Sequence, residues 1–65
     1  MNWNVKYNEE LDELIFSKQT DTSIVERRFS YGIEIGLDIY ENIISINIPE
    51  PTVLFGVTVK QLKGI

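Results

Sequence analysis

The stretch YGIEIGLDIYENIISINI, from Tyr31 to Ile48, determines the fold that the sequence predicts. It contains two runs in which apolar residues alternate with polar or small ones: Ile33, Ile35 and Leu37, then Ile44, Ile46 and Ile48. Successive side chains of a strand point to opposite faces of a sheet, so each run predicts a strand with one apolar face. Asn42, between the runs, tolerates the positive φ of a hairpin turn, and we expect an antiparallel hairpin.

The segments on the N-terminal side of this hairpin predict further strands. WNVKY, from Trp3 to Tyr7, alternates in the same way, and LIFS, from Leu14 to Ser17, resumes the alternation after a polar turn. KQTDTS, from Lys18 to Ser23, has no large apolar residue and predicts a loop. IVERRFSY alternates imperfectly, so the sequence leaves open whether Ile24 to Phe29 forms a strand.

The C-terminal segment has a different pattern. Pro49 and Pro51 cannot donate to a strand ladder and mark the end of the sheet. Thr58 suits the N-cap of a short helix and Gly64 suits its end. Before it we expect another helical turn whose apolar side chains cover the sheet: Val53, Leu54, Phe55 and Val57. Strands followed by a helix are typical of α+β folds, and we predict one α+β domain over residues 1–65, an antiparallel β-meander of about four strands with one short C-terminal helix.

The composition excludes several kinds of site. The chain of 65 residues contains no cysteine and no histidine, so disulfides, zinc sites built from these ligands and Ser-His-acid catalysis are excluded. We expect no cofactor. A domain of this size buries only about 60% of its unfolded surface, and small domains usually need an additional source of stability. Oligomerisation is the source that remains, and we therefore expect a homo-oligomer.

The charge balance and the hydropathy pattern bear on partners and location. The net charge of −4 argues against nucleic acid as a general partner, because binding to phosphates needs clustered lysine and arginine. The sequence shows no signal-peptide pattern and no apolar run long enough to cross a bilayer. Together with the lack of cysteine, this pattern predicts a cytoplasmic protein that does not associate with membranes.

Three blocks of the sequence resemble the family of short prokaryotic proteins catalogued as domain of unknown function 2283. The residues that carry the resemblance lie between Tyr7 and Pro49: Tyr7, Asp12, Leu14 and Phe16 in YNEELDELIF, Gly32, Ile33 and Asp38 in GIEIGLD, and Asn42, Ile43, Ile44, Ile46 and Ile48 in NIISINI. The resemblance implies a small antiparallel sheet with a C-terminal helical segment. It supplies no activity, although such proteins look like the small partner of two-gene modules, some of toxin–antitoxin type.

The sequence departs from this family at several positions. Leu11 stands where the family has a small alanine, Gly36 replaces an aspartate, and Tyr40-Glu41 replaces the Asp-Gly of the turn. Without a glycine, a tight primed turn is less favourable, so the hairpin loop is expected to be longer.

Acidic residues and one arginine pair are the candidates for chemistry. Glu9, Glu10, Asp12 and Glu13 could hold a hard cation such as calcium, or could form a solvated turn. Asp38, Glu41 and Glu34 could supply paired carboxylates for glycoside hydrolysis, in a cleft that two chains would have to build, or could be surface charges. Arg27 and Arg28 should point to opposite faces of a strand, where Glu26 or Glu34 can pair with them.

The aromatic and isoleucine residues favour an interaction surface. Tyr and Trp are enriched at protein interfaces, and Ile15 and Ile43 lie on the face opposite the main apolar set of their strands. We predict a non-enzymatic, self-associating interaction module that binds or inhibits a second protein, in an antitoxin-like or inhibitor-like manner. The predicted interaction residues are Trp3, Ile15, Tyr40, Ile43, Glu34 and Asp38. The alternatives are a carboxylate-based metal-assisted hydrolase assembled across a dimer and a weak nucleic-acid binder that uses Arg27, Arg28, Lys60 and Lys63.

Overall fold

The computed structural model describes residues 3–64 and consists of one antiparallel sheet and two short helices. The elements are β1 (Trp3–Asn8), β2 (Glu13–Lys18), β3 (Glu26–Ser30), β4 (Ile33–Leu37), β5 (Ile43–Pro49), α1 (Pro51–Leu54) and α2 (Val59–Lys63). The predicted α+β content is confirmed in its coarse form. The sheet has five strands rather than four because the segment left open, Ile24 to Phe29, is a strand from Glu26 onward. The helical turn expected before the C-terminal helix is α1, and α2 is the predicted C-terminal helix, so the structure has two short helices where the fold prediction counted one.

The strand order is β1-β2-β5-β4-β3, which differs from a simple meander. The strands β3, β4 and β5 are joined by hairpins, whereas β2 lies beside β5 and not beside β3, its neighbour in the chain. Three hairpin-connected strands and a fourth that returns beside the far one form a Greek key. The prediction of a meander was wrong for this reason: the connection from β2 to β3 spans two strands.

The register divides the sheet into an apolar core face and a polar face. Val5, Phe16, Ile46 and Ile35 lie opposite one another in a single row across β1, β2, β5 and β4. The next row, on the other face, is Asn4, Ser17, Ser45 and Gly36. The buried apolar residues are Leu14, Leu37 and Ile44 on the core face, with Leu62 of α2, and Pro51 of α1 is also buried. The predicted alternation of Ile33 to Ile48 is therefore confirmed.

The β2–β3 connection crosses the polar face near the β4–β5 turn. A Cβ atom on Gly36 would come within 2.8 Å of Ile24 Cδ1 and would also clash with Ser45 Oγ. Ile24 therefore lies directly over the glycine. The backbone N–H of Val25 donates to the carbonyl of Leu37 at 2.9 Å, which fixes the chain as it enters β3. A glycine within a strand commonly marks such a close approach of another segment.

The two hairpins of the Greek key have different turns. Tyr31 and Gly32 connect β3 to β4 with φ values of 54° and 80°, the signature of a two-residue turn with both central residues left-handed. The β4–β5 connection covers residues 38–42, and the register shifts at Gly36/Leu37. Its loop is longer than a tight turn, as expected. The residue with positive φ is Glu41, at 64°, and not Asn42 as the sequence suggested.

The helices are attached to the β1–β2 turn. Thr52 of α1 donates to Asp12 Oδ2, the N–H of Glu50 donates to the carbonyl of Asp12 at 2.8 Å, and Lys63 of α2 lies 3.1 Å from Glu9. Thr58 is the N-cap of α2, with a complete capping box, and Gly64 is its C-cap, as predicted. No helix in the part of the chain that is described is long and apolar enough to cross a membrane.

The buried residues of the two helices are Pro51 and Leu62, which differ from those expected from the sequence. Val53, Leu54 and Phe55 were predicted to cover the sheet, but all three are exposed, and Val57 is half-buried. A helix of four residues has too little surface to bury more than one face, and α1 buries Pro51.

Candidate interaction surface

The acidic residues of the β1–β2 turn have structural partners. Asp12 accepts hydrogen bonds from the Tyr7 hydroxyl at 2.8 Å and from Thr52, and Glu9 pairs with Lys63. Burial, and then the hydrogen bond to Asp12 and the negative charges of Asp12 and Glu9, raise the pKa of Tyr7 to about 12. Among residues 3–64, no group of three or more acidic side chains is placed to hold a metal ion. The contacts of Asp12 with Thr52 and of Glu9 with Lys63 fasten the helices to this turn of the sheet.

The predicted rim residue Asp38 is buried, with 4% of its surface exposed. Its Oδ1 accepts hydrogen bonds from the N–H groups of Tyr40 and Asn42, both at 2.9 Å, and its Oδ2 accepts one from the Thr22 hydroxyl at 2.9 Å. Burial acts to raise the pKa of Asp38, but the hydrogen bonds from Asn42, Thr22 and Tyr40 outweigh it and hold the pKa below its ordinary value. The expectation that Asp38 lies at a surface rim is corrected, because its carboxylate organises the β4–β5 turn and ties the β2–β3 connection to it.

The turn that Asp38 holds presents apolar side chains to solvent. Ile39 and Tyr40 are 71% and 73% exposed, and Ile43 is exposed as well. We call these three residues the turn tip. Two of them are predicted interaction residues, and the hydrogen bonds of Asp38 fix the backbone that carries them. A rigid turn loses little conformational entropy when it binds, so this surface is suited to a protein contact.

The turn tip does not continue into the apolar patch expected from Ile15 and Ile43. Ile15 is half-buried on the polar face, in register with Lys6 of β1 and Asn47 of β5. Ser17 and Ser45 form the next row on the same face, and Ile43 lies beyond it, where the register of β4 and β5 shifts. Trp3 is half-buried on the core face opposite Lys18. The structure therefore brings Tyr40 and Ile43 together at one end of the sheet and leaves Ile15 and Trp3 apart from them.

The charged residues of β3 and β4 form the local pairs that the sequence indicated. Arg27 lies 3.0 Å from Glu34 and Arg28 lies 2.8 Å from Glu26. The two arginines point to opposite faces, since Arg27 is in the row of Gly36 and Arg28 in the row of Ile35. Glu34 is thus half-buried beside β3, and its carboxylate already contacts a base.

A second surface, which the sequence analysis missed, lies at the opposite end of the sheet. A cleft of about 260 Å³ separates the β3–β4 turn from the start of α1 and is lined by Tyr31, Gly32, Pro49, Glu50, Val53 and Leu54. Tyr31 is 97% exposed at its edge. The signal in the sequence was the dipeptide Tyr31-Gly32 between two strands, in which a large aromatic occupies a position that usually holds Asn, Asp or Gly.

Comparison of the chain with family models, with curated proteins and with solved structures gives no match. The family resemblance of Tyr7 to Pro49 therefore stays a prediction.

Proposed function

We propose that this chain is a non-enzymatic protein-interaction module that self-associates and binds a second protein, with Tyr31 as a contact residue. The observation that carries the proposal is that Tyr31 has φ 54° and is almost fully exposed. The left-handed region costs a residue with a Cβ about 1–2 kcal/mol. Strained residues of this kind cluster at sites of function, where the strain is compensated elsewhere in the fold.

The cleft beside Tyr31 defines the chemistry of the partner. Val53 and Leu54 give it an apolar wall, and Glu50 places a carboxylate at its border. A volume of about 260 Å³ accommodates one or two large apolar side chains of another protein, too little for most small-molecule sites. The chain also carries a net charge of −4. We therefore propose a partner segment with an exposed apolar anchor and basic neighbours.

The proposal agrees with the expectation of an antitoxin-like or inhibitor-like protein in a cytoplasmic, reducing compartment. An acidic protein of this size would serve by occupying a basic surface of its partner rather than by catalysis. The resemblance to domain of unknown function 2283 supports the same reading, because such proteins look like small partners in two-gene modules.

The test is affinity capture from native lysate with three matched baits: the tagged wild type, Tyr31→Asn and Tyr40→Asn. Both tyrosines are exposed, but they lie at opposite ends of the sheet. We expect the wild type and Tyr40→Asn to retain a stoichiometric second protein, and Tyr31→Asn to lose at least about nine-tenths of it while its circular dichroism remains native. If only Tyr40→Asn loses the second protein, the contact lies at the turn tip and not at Tyr31. A wild-type chain that captures nothing and scatters light as a monomer would refute the proposal.

A further inference from the structure

The edge strand β3 has the features of a self-complementary surface. In the described part of the chain, β3 pairs with β4 alone, and all five of its residues are exposed. Edge strands present a row of main-chain groups that another strand can pair with. The other edge strand, β1, begins directly after two residues that the structure does not describe.

We infer that a second copy of this chain pairs with β3 in antiparallel fashion about a two-fold axis at Arg27. This inference deepens the proposed function, on whose self-association it rests. In this register Glu26 of each protomer lies opposite Arg28 of the other, twice across the axis. Val25 of each lies opposite Phe29 of the other, also twice.

The charges and exposed apolar groups select this register. A two-fold axis perpendicular to the sheet keeps the faces of the two protomers on the same sides, so only registers centred on a residue are available. With the axis at Arg28, the Arg28 side chains of the two protomers would lie opposite each other, and Glu26 would lie opposite Ser30, so no acidic residue would oppose an arginine. A centre at Phe29 would oppose no charges at all. The centre at Arg27 is the one that opposes Glu26 to Arg28.

The same register buries apolar side chains that the monomer leaves in solvent. Val25, just before β3, is 65% exposed, and Phe29 is 70% exposed on the polar face of the sheet. Directly opposite residues of an antiparallel pair have Cβ atoms about 5 Å apart, so each Phe29 ring would contact the other protomer's valine.

The centre of the interface is balanced in charge. Arg27 would face its own copy, but each Arg27 is already bonded to Glu34 at 3.0 Å on the same face. Two guanidinium groups and two carboxylates therefore lie around the two-fold axis. On the core face, Glu26 and Arg28 already pair within one chain at 2.8 Å, so the four charges of two chains would alternate in sign along the interface.

Charge-reversal variants test the register. Glu26→Arg and Arg28→Glu each place like charges opposite one another twice, whereas the double variant restores opposite charges. A five-residue strand pair is a small interface, so the wild type is expected to dimerise at micromolar or higher concentration. Sedimentation equilibrium should show each single variant dimerising at least about tenfold more weakly. The double variant should recover the wild-type dissociation constant. An equimolar mixture of the two single variants should form a heterodimer, since both opposed pairs then have opposite signs.

Two controls change the net charge by the same amount away from the edge. Glu10→Arg lies in the β1–β2 turn and Lys18→Glu lies at the end of β2, and both positions are exposed. They should dimerise like the wild type. Circular dichroism confirms that every variant is folded.

The outcomes separate this inference from the proposed function. If the wild type dimerises and the single variants match the controls, the β3 register is refuted while self-association stands. If the wild type is monomeric at millimolar concentration, both the register and the self-association in the proposed function are refuted, and capture of a second protein then decides whether the chain is an interaction module.

Discussion

Ile24 lies directly over Gly36, and no side chain larger than hydrogen fits between them. The Cδ1 atom of Ile24 is 2.8 Å from the position that a Cβ on Gly36 would occupy. This contact joins the β2–β3 connection to β4. The close packing of the connection against the sheet therefore depends on one glycine in a strand that otherwise favours β-branched residues.

Gly36→Ala is expected to cost about 1–3 kcal/mol of unfolding free energy, since overpacking forces Ile24 and Ser45 to move. Urea denaturation followed by circular dichroism measures the cost. Gly64→Ala is the control: its Cβ would be 3.4 Å from the nearest atom, and the change should stay within about 0.5 kcal/mol. In an Ile24→Val background, which lacks the Cδ1 atom, Gly36→Ala should cost less. An equal cost in both backgrounds would show that the contact is not the cause.

Tyr31→Asn is expected to stabilise the domain by about 1 kcal/mol, because Asn-Gly is a preferred pair for a turn with two left-handed residues. The Tm should rise by about 4–8 °C for a domain of this size. Tyr31→Phe keeps the backbone strain and should leave the Tm unchanged. If Tyr31→Asn lowers the Tm, the tyrosine ring stabilises the monomer, and the argument that its strain serves binding fails.

Leu14→Ala is expected to cost about 2–5 kcal/mol, since Leu14 is a buried apolar residue of the core with 5% of its surface exposed. A domain of this size has a total stability of roughly 3–10 kcal/mol, so the variant should be partly or wholly unfolded at 37 °C. Leu11→Ala, three residues away on the exposed turn, should change the stability by less than about 0.5 kcal/mol. Thermal unfolding of both variants distinguishes them, and similar losses would mean that the core is assigned to the wrong residues.

Asp38→Asn is expected to make the free energy of unfolding vary less with pH in the acidic range. The pKa of Asp38 is lower in the folded chain than its ordinary value, so its carboxylate stabilises the fold above that ordinary value. This contribution is lost as the pH falls through the folded pKa. The wild type should therefore be more stable than Asp38→Asn at pH 7, and the difference should shrink below about pH 4.

Denaturation curves from pH 7 to pH 3 give this difference directly. Asp21→Asn, at an exposed position in the loop before β3, is the control and should follow the wild type. A difference between wild type and Asp38→Asn that does not vary with pH would contradict the role assigned to the carboxylate.

Tyr7→Phe tests the corresponding effect in alkali. The folded pKa of Tyr7 is raised to about 12, so its hydroxyl stabilises the fold below its ordinary pKa of 10.0. That contribution is lost as the pH rises from about 10 to about 12. The wild type should exceed Tyr7→Phe in stability at pH 8, and the two should converge near pH 12. Tyr40→Phe, at an exposed tyrosine, is the control, and its stability at pH 8 should stay within about 0.5 kcal/mol of the wild type.

The sequence by itself determined the elements that depend on neighbouring residues. The alternation of Ile33 to Ile48 predicted β4 and β5 and their common apolar face. Thr58 and Gly64 predicted the ends of α2, because capping is a local property of the backbone. The ion pairs of Arg27 and Arg28 were also predicted, since residues in one hairpin have few partners within reach.

The tertiary structure alone decided the strand order, the burial of Asp38 and the position of the exposed apolar groups. Alternation states which residues share a face, but it does not state which strands are adjacent. Adjacency depends on contacts between residues far apart in the chain, such as the pairing of Phe16 in β2 with Ile46 in β5. Thr22, in the β2–β3 connection, donates a hydrogen bond to Asp38. The carboxylate of Asp38, which the sequence analysis expected at the rim of an interface, is therefore buried inside the β4–β5 turn. Tyr31 became a candidate contact residue only when its positive φ and its exposure were known together, because neither follows from its place in the alternation.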